Sequence, residues 1–337
     1  MKRLLYVDCL RGFSMILVVY QHIITFGMPQ IYPGSPLSEF FLVFRMPLFF
    51  FISGFVSYKA INYNFDVVKK QSIKKIFGQL IPTIVFFSLF VFAKNLNLNE
   101  SIQSSAKQGY WFTLVSFEIY MCYLFYSYIF KVINKNLRLV IFFLLTLFIR
   151  GLFAIDLITV NSDNDLLSFK YFVWYSVFFA YGIIVKDNLL VIHKLLVNKY
   201  ISFILFLLSF VCPFVFNLNE IFYIFPIILC MYYIFYYYKD FCNSDHYLVK
   251  MLSYIGKNTL PIYFIHYFLL FRLNNLESYL LSFRNDICFM GTSASWLIEF
   301  GTCILISIVL CYVSIFIKKI IDVFPFVSKL CFGPPKD

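Results

Sequence analysis

An arginine and a histidine inside the first long apolar segment are the residues whose types and spacing could support chemistry. Arg11 and His22 are eleven residues apart, which on a helix is a rotation of about 1,100°, or about 20° beyond whole turns, and a rise of roughly 16 Å. Both side chains then lie on one stripe. A histidine titrates near neutral pH and can take a proton from a hydroxyl group as a general base. The stripe predicts a shared polar path, which suits acid–base catalysis or proton-coupled transport.

Asp8 is a third ionisable residue in this segment. It precedes Arg11 by three positions, so the two are neighbours on one helix face and can neutralise each other. Ionisable groups inside a membrane span cost at least about 2.5–3.5 kcal/mol each and mark functional sites by default. The alternative is that Arg11 is an anchor at the inner interface and His22 a hydrogen-bonded interfacial histidine. We predict that His22, Arg11 and Asp8 form the catalytic group.

The elements that must position these residues are membrane-spanning helices. The chain has 337 residues, of which 61% are hydrophobic and 13% charged, against about 45–50% and about 25% in soluble domains. This composition excludes a water-soluble globule. A span needs about 20 mainly apolar residues, which predicts an all-α polytopic membrane protein with a single transmembrane domain over 1–337. The ten predicted spans are 5–27, 39–58, 76–94, 110–131, 138–156, 169–186, 199–217, 220–238, 255–273 and 297–321.

The charge distribution predicts the orientation of these helices. Most of the 28 Lys and Arg residues fall on the cytoplasmic side if both termini are cytoplasmic, as the positive-inside rule requires. The net charge of +11 therefore reflects membrane topology, and no nucleic-acid partner is expected. Nine cysteines without a CxxC pair indicate neither a zinc site nor a disulfide framework, and we expect no metal.

Further candidates lie inside or beside the other predicted spans. Arg45 is either an interfacial anchor or a polar wall of the site, and Ser53 either packs beside Gly54 or lines the site. Trp111 is either an interfacial belt residue or a platform for a sugar or adenine ring. Glu118 lies seven residues later on nearly the same face, where an acid is costly, so it ranks higher as a pocket residue.

Two later groups complete the candidates. Tyr263 and His266 share a helix face, and His266 either lines an acceptor pocket or caps a polar network. Lysines are concentrated on a predicted cytoplasmic loop before the third span, where they could bind the phosphates of coenzyme A or anionic lipid headgroups. We favour the phosphate role for Lys74 and Lys75. The lysines of this loop are Lys59, Lys69, Lys70, Lys74 and Lys75.

Four sequence blocks, in the same order along the chain, resemble the membrane-integral acyltransferase family 3, which includes O-acetyltransferases and succinyltransferases of surface polysaccharides. The family pattern has an arginine followed eleven residues later by a histidine, as in Arg11 and His22. The blocks are Tyr6-Val7-Asp8-Cys9-Leu10-Arg11-Gly12 with Gln21-His22, then Arg45 to Phe55 with Pro47-Leu48-Phe49-Phe50-Phe51-Ile52-Ser53-Gly54-Phe55, then Tyr110-Trp111-Phe112-Thr113-Leu114, and last Ile255-Gly256-Lys257-Asn258-Thr259-Leu260-Pro261-Ile262-Tyr263-Phe264-Ile265-His266.

The resemblance implies that His22 is essential and that Arg11 supports acyl-donor binding or the same polar path. It also implies a basic pair before the third span with two residues between its members. Lys75 can fill the first position, but Gly78 stands where the second basic residue is expected. Donor binding by this segment therefore departs from the family pattern.

The function that the resemblance implies is transfer of an acyl group, most often acetyl, from cytoplasmic acyl-CoA to a hydroxyl of a cell-surface or lipid-linked glycan, in the inner membrane of a bacterium. His22 would act as a general base or carry the acyl group itself. The alternatives are a polytopic transporter or polysaccharide exporter, and a non-enzymatic scaffold in glycan assembly. The sequence leaves the oligomeric state open, a homodimer included.

Overall fold

Every regular element in the described part of the chain is helical. The computed structural model describes residues 4–27, 36–59, 61, 63–211, 221–270 and 292–334. Within these ranges there are α-, π- and 3-10 helices and no strand, so the predicted all-α class is confirmed.

The helices are named in chain order. They are α1 (Leu5–His22), α2 (Pro36–Ser57), α3 (Phe65–Lys75), α4 (Ile81–Ala93), α5 (Leu98–Gln103), α6 (Trp111–Ile129), α7 (Lys135–Ala154), α8 (Phe169–Asp187), α9 (Leu189–Val197), α10 (Lys199–Phe206), α11 (Ile221–Tyr237), α12 (Lys239–Cys242), α13 (Tyr247–Lys257), α14 (Thr259–Leu270), α15 (Thr292–Ile321) and α16 (Pro325–Phe332). Three π turns cover Ile23–Gly27, Ile76–Leu80 and Leu207–Val211, and a 3-10 turn covers Lys107–Gly109.

Several helices are long and apolar enough to cross a bilayer. Within the described ranges six qualify, and α8 with α9, bent by 86° at their junction, would make a seventh span. The six are Leu5–Gly27, Leu37–Ser57, Phe65–Ala93, Trp111–Ile129, Lys135–Ala154 and Glu299–Ile321. Three other predicted spans coincide with shorter apolar helices, which are Tyr200–Ser209, Tyr223–Tyr237 and Thr259–Leu270. The multi-pass character is thus supported, whereas the number ten and the cytoplasmic position of both termini stay predictions.

Asparagines determine where several helices begin. The side-chain oxygens of Asn64, Asn97, Asn134 and Asn198 accept hydrogen bonds from backbone N–H groups two or three residues later, at the starts of α3, α5, α7 and α10. Such caps satisfy donors that the first helical turn leaves without partners. Each of these helices therefore begins where the local sequence supplies an acceptor.

The chain divides into two compact units. Unit 1 consists of Met1–Phe49 and Leu196–Ile320, and unit 2 consists of Phe50–Leu195 and Ile321–Asp337. In unit 1, α1 is the central helix and packs against α11, α12, α13 and α14. In unit 2, α8 packs against α6 and α7, while α3 and the π turn that follows it contact α6, and α16 packs on α4.

A pair of glycines allows α1 and α13 of unit 1 to approach each other closely. A β-carbon on Gly12 would lie 2.0 Å from the carbonyl oxygen of Leu252, and one on Gly256 would lie 1.8 Å from the carbonyl oxygen of Asp8. Close backbone approach at small residues is the usual means of helix association in membranes. Because residue 12 faces 252 and residue 8 faces 256, α13 runs antiparallel to α1.

The predicted span 255–273 is therefore corrected in its first residues. The helical path breaks at Asn258, so that Ile255–Lys257 end α13 while a new helix, α14, begins at Thr259. The apolar sequence continues across this break, and a window that measures only hydrophobicity does not detect it.

A second pair of glycines serves the same purpose in unit 2. A β-carbon on Gly54 would lie 2.0 Å from the carbonyl oxygen of Phe179 in α8, and one on Gly182 would lie 2.0 Å from that of Phe51 in α2. Three glycines of the sequence blocks, Gly12, Gly54 and Gly256, are thus explained by helix packing.

The lysine-rich segment before the third predicted span is helical, which corrects the expected loop. Lys69, Lys70, Lys74 and Lys75 all lie on α3, which Asn64 caps and which continues through the π turn Ile76–Leu80 into α4. No proline or glycine interrupts α3, and straight-chain lysines favour a helix.

Candidate active site

The facing sides of α1 and α14 form the polar cluster of unit 1. Arg11 donates from Nη2 to Thr259 Oγ1 at 3.0 Å, and His22 Nδ1 lies 2.8 Å from His266 Nε2. Residue numbers rise together along both helices, so α14 runs in the same direction as α1. The prediction that Arg11 and His22 lie on one side of their helix is confirmed. A hydrated passage that joins them stays a prediction.

The hydrogen bonds around His22 have a single assignment when both imidazoles are neutral. His266 Nδ1 lies 2.9 Å from the carbonyl oxygen of Ile262, and because a carbonyl can only accept, this nitrogen carries the hydrogen. His266 Nε2 then has a lone pair, so His22 donates to it from Nδ1. His22 Nε2 in turn has a lone pair and accepts from the hydroxyl of Tyr267 at 3.2 Å.

This chain of hydrogen bonds holds one nitrogen of His22 ready to accept a proton. His266 is fully buried, and its ring is within 9° of parallel to that of His22, with the centroids 5.1 Å apart. An imidazole whose Nδ1–H is bound by a fixed acceptor presents Nε2 as its basic atom. His266 thus belongs to a polar network with His22, and its predicted role in an acceptor pocket stays a prediction.

Tyr263 and the π turn after α1 surround this pair of histidines. The Tyr263 ring lies 5.9 Å from that of His266 and 6.0 Å from that of Tyr267. The π turn Ile23–Gly27 begins directly after His22 and brings the Phe26 ring to 5.8 Å from the imidazole. Single π turns inside helices occur often at functional sites.

Asp8 and Arg45 are the other two candidates of unit 1. Asp8 is buried, with 4% of its surface exposed, and its predicted pairing with Arg11 stays a prediction. Arg45 lies in α2 close enough to His22 for its guanidinium to interact electrostatically with the imidazole. Its two predicted roles, an interfacial anchor or a polar wall of the site, stay predictions.

In unit 2 the two candidate lysines have different surroundings. Lys74 is exposed, whereas Lys75 Nζ donates to Gln79 Oε1 at 3.0 Å and lies 4.5 Å from the centroid of the Tyr120 ring. Gln79 is itself fixed, because its Nε2 donates to the carbonyl oxygen of Thr113 at 2.7 Å. Lys75 is therefore a positioned cation, while Lys74 extends into the surroundings.

Trp111 belongs to an aromatic stack in unit 2. Its ring lies 4.1 Å from the ring of Tyr171 and 5.2 Å from that of Tyr175, both nearly parallel to it, and Phe50 stacks on Tyr175 at 4.8 Å. Ser53 is half-buried in α2, beside the close contact made at Gly54. These contacts explain Trp111 by packing, and a role in sugar or adenine binding stays a prediction.

Glu118 is half-buried in α6 and interacts electrostatically with Lys107 and Asp165. Its Oε1 is buried and has no hydrogen-bond partner among the described residues. Lys107 donates from Nζ to the carbonyl oxygens of Asp165 at 2.6 Å and Ser104 at 2.8 Å, and its burial lowers its pKa.

The loop that carries Lys107 is conformationally strained. Lys107 and Gln108 have φ angles of 46° and 51°, in the left-handed region that non-glycine residues rarely adopt. The Lys107 ammonium contacts two carbonyl oxygens, and these contacts hold the left-handed backbone conformation. The cation that interacts with Glu118 is therefore a buried one.

Two partners in these clusters were not among the predicted site residues. Thr259 stands in the last of the four sequence blocks but was assigned no role, and Tyr267 is recognised only when α14 is placed against α1. Glu299 had a signal that could have been used, since it is an acid inside a predicted span. It is buried in α15, and the Tyr20 hydroxyl lies 3.5 Å from its Oε1. Because Tyr20 and His22 are two positions apart, about 200° around the helix, this contact points away from His22.

A comparison with protein families finds a match over most of the chain. The family model described as an acyltransferase domain, of the acyltransferase 3 type, matches residues 4–316, which include every candidate residue of both units. No curated protein and no solved structure matches the chain. The chain belongs to the membrane acyltransferase family 3, and it is an acyltransferase.

Proposed function

We propose that this acyltransferase moves an acyl group, most often acetyl, from acyl-CoA to a hydroxyl of a cell-surface or lipid-linked glycan at the inner membrane of a bacterium, with His22 as the general base. The family supports acyl transfer in general. The observation that carries the assignment to His22 is its Nδ1 contact with His266 at 2.8 Å, which leaves Nε2 as the basic atom. The donor, acceptor and location are part of the proposal.

In the proposed reaction, His22 Nε2 takes the proton of the acceptor hydroxyl while the oxygen attacks the thioester carbonyl carbon. The tetrahedral intermediate collapses, the carbon–sulfur bond breaks, and the thiolate leaves with the proton that His22 held. The acceptor hydroxyl displaces the Tyr267 hydroxyl from Nε2 in this step, and the Tyr267 hydroxyl then donates to the developing oxyanion. His266 is a positioning residue, because its two ring nitrogens contact His22 and the carbonyl oxygen of Ile262.

A covalent variant uses the same nitrogen. His22 Nε2 would attack the thioester carbon and the carbon–sulfur bond would break, releasing the thiolate. The acceptor hydroxyl would then take the acyl group from the imidazole, and its proton would go to the thiolate. Rapid quenching with labelled acyl-CoA in the absence of acceptor distinguishes the two variants, since only the covalent one leaves label on the protein.

For the donor, we propose that Lys75 binds a phosphate of acyl-CoA. It is the lysine of α3 whose ammonium is held by an amide oxygen and an aromatic face. An ammonium that is already positioned loses less conformational freedom when it binds a phosphate than an exposed one such as Lys74.

The test replaces His22 with alanine and measures ester formation on isolated surface glycan, as acyl groups released by mild alkali. We expect a loss of about 10²–10⁴-fold, the contribution of a general base, with normal membrane insertion. The matched control is His246→Asn, because His246 caps α13 through its side chain and asparagine preserves a cap. Wild-type ester content in the His22 variant would remove the base from the proposal. Uptake of labelled acyl-CoA or glycan without ester formation would favour a transporter.

A further inference from the structure

A buried arginine in unit 2 lacks the partners that its charge requires. Arg138 lies in the first turn of α7 with 7% of its surface exposed. Its Nη1 makes a long contact of 3.5 Å with the carbonyl oxygen of Ser127, and the guanidinium carbon lies 5.7 Å from the centroid of the Tyr63 ring. Within the described ranges it forms no ion pair. Buried charges in proteins are normally paired and hydrogen-bonded.

One edge of this guanidinium is left without protein partners. Nε is buried and has no hydrogen-bond acceptor among the described residues, and Nη2, on the same edge, makes no hydrogen bond in that part of the chain either. The Nε–Nη2 edge is a planar fork of two N–H donors, the geometry that binds two oxygens of a phosphate or carboxylate at once. The contact with Ser127 uses the other side of the group, so no acceptor in the described ranges occupies this buried fork.

A carboxylate that shares the neighbour Tyr58 with Arg138 is already neutralised by another cation. Asp187 Oδ1 accepts from Lys135 Nζ at 2.6 Å and from the Tyr58 hydroxyl at 2.5 Å. The side chain of Asp187 is 7% exposed and that of Lys135 is 46% exposed, so the lysine covers this acid from the outside. Asp187 therefore balances Lys135 and leaves the charge of Arg138 uncompensated.

Tyrosines around the guanidinium add hydroxyl donors but no negative charge. Tyr58 and Tyr63 both interact electrostatically with Arg138. Burial raises the pKa of each phenol, so both stay neutral at physiological pH. The Tyr63 hydroxyl donates to the carbonyl oxygen of Lys59 at 3.4 Å and lies 3.1 Å from the Tyr123 hydroxyl, so its hydrogen is already bound and the fork of Arg138 is the part of this cluster left for a ligand.

We infer that Arg138 is the anchor of a phosphate-binding site, in which the Nε–Nη2 fork binds two phosphate oxygens. Phosphate fits better than a neutral ligand because the guanidinium is a charged fork that forms no ion pair with a carboxylate of the described ranges. The phosphate can belong to a soluble nucleotide-like molecule or to a phospholipid headgroup. The site depends only on the surroundings of Arg138 and stands whether or not His22 is the base of the acyl transfer.

The test uses the full chain in nanodiscs of phosphatidylcholine and measures pyrophosphate binding by calorimetry. We expect Arg138→Gln to weaken binding about tenfold or more, because a bidentate charged contact is lost. Arg138→Lys should fall between the two, since it keeps the charge but not the fork. Lys131→Gln is the matched control, because it removes an exposed cation at the same end, and it should remain within about twofold of wild type.

Two further arms identify the source of the phosphate. Competition of coenzyme A with pyrophosphate assigns the site to a soluble ligand, and this arm rests on the proposed acyl donor. An Arg138-dependent rise in thermal stability in phosphatidylglycerol nanodiscs, without competition by coenzyme A, assigns it to a lipid headgroup. Should Arg138→Gln fail to fold, Arg138→Lys tests the same site, because it keeps the charge but loses the fork and should still weaken binding. Equal pyrophosphate affinity in wild type and the Arg138→Gln and Arg138→Lys variants, or an equal loss in Lys131→Gln, overturns the inference.

Discussion

The close contact between α1 and α13 predicts that adding one methyl group at Gly256 will lower both the stability and the activity of the protein. In Gly256→Ala the new β-carbon would lie 1.8 Å from the carbonyl oxygen of Asp8 and 3.0 Å from the backbone nitrogen of Gly12. A carbon atom does not approach such an oxygen to less than about 3.0 Å, so the helices must separate by about 1.2 Å there. Both opposing atoms belong to the backbone, and no side-chain rotation can relieve the clash.

The expected loss of stability follows from this displacement. Overpacking costs about 1–3 kcal/mol, and the rigid backbone on both sides places Gly256→Ala near the upper value. A single residue joins α13 to α14, so a similar shift of α14 would lengthen the 2.8 Å contact between His22 and His266 beyond hydrogen-bonding distance. A misplacement of about 1 Å can reduce activity about 10²-fold.

The measurements are thermal unfolding of the purified protein in detergent and ester formation in membranes. Gly301→Ala is the matched control, because a β-carbon at Gly301 in α15 meets no atom within 4 Å, and alanine there should add about 0.5–1 kcal/mol of stability. Wild-type unfolding temperature and activity in Gly256→Ala would refute the described spacing of α1 and α13.

Four other predictions concern single contacts. Thr259→Val should lower ester formation by removing the 3.0 Å bond to the arginine of α1, and Thr259→Ser should restore most of it. His266→Leu should reduce kcat roughly 10²-fold. His266→Gln should retain more of the wild-type kcat, because its amide oxygen can accept the same hydrogen bond from His22. An equal loss of kcat in both variants would contradict a positioning role. Gly54→Ala, whose β-carbon would lie 2.0 Å from a backbone oxygen of α8, should lower the unfolding temperature, whereas Gly151→Ala, which meets no atom within 4 Å, should not. Gly78→Arg, whose β-carbon is also unobstructed, should lower the KM for acyl-CoA relative to Gly78→Gln if α3 binds the donor.

Helical periodicity was sufficient to predict the shared face of Arg11 and His22. Eleven residues return an α-helix almost to its starting direction, and α1 is regular from Leu5 to His22, so the local sequence contained the necessary information. The same regularity allowed the long apolar helices to be located from composition alone.

The partners of His22 could not be found in this way. His266 and Tyr267 are more than 240 positions away, and their register against α1 depends on the close packing of α13 that precedes them. Nor does an apolar window show that the helix breaks at Asn258, because residues on both sides of the break remain hydrophobic. The left-handed conformation of Lys107 depends on a carbonyl of the distant Asp165, which local propensity does not encode.

The hydrogen-bond chain at His22 ends on the carbonyl oxygen of Ile262, and a peptide carbonyl has no hydrogen to pass on. A proton gained by Nε2 therefore has no onward route through His266 and must leave by the atom through which it entered. Conversion of a thioester and an alcohol into an ester and a thiol neither consumes nor releases protons. The reaction therefore needs no route that carries the proton away from His22. It offers no relay through these histidines for coupling to an electrochemical gradient, and the reaction at His22 should run equally well in a depolarised membrane.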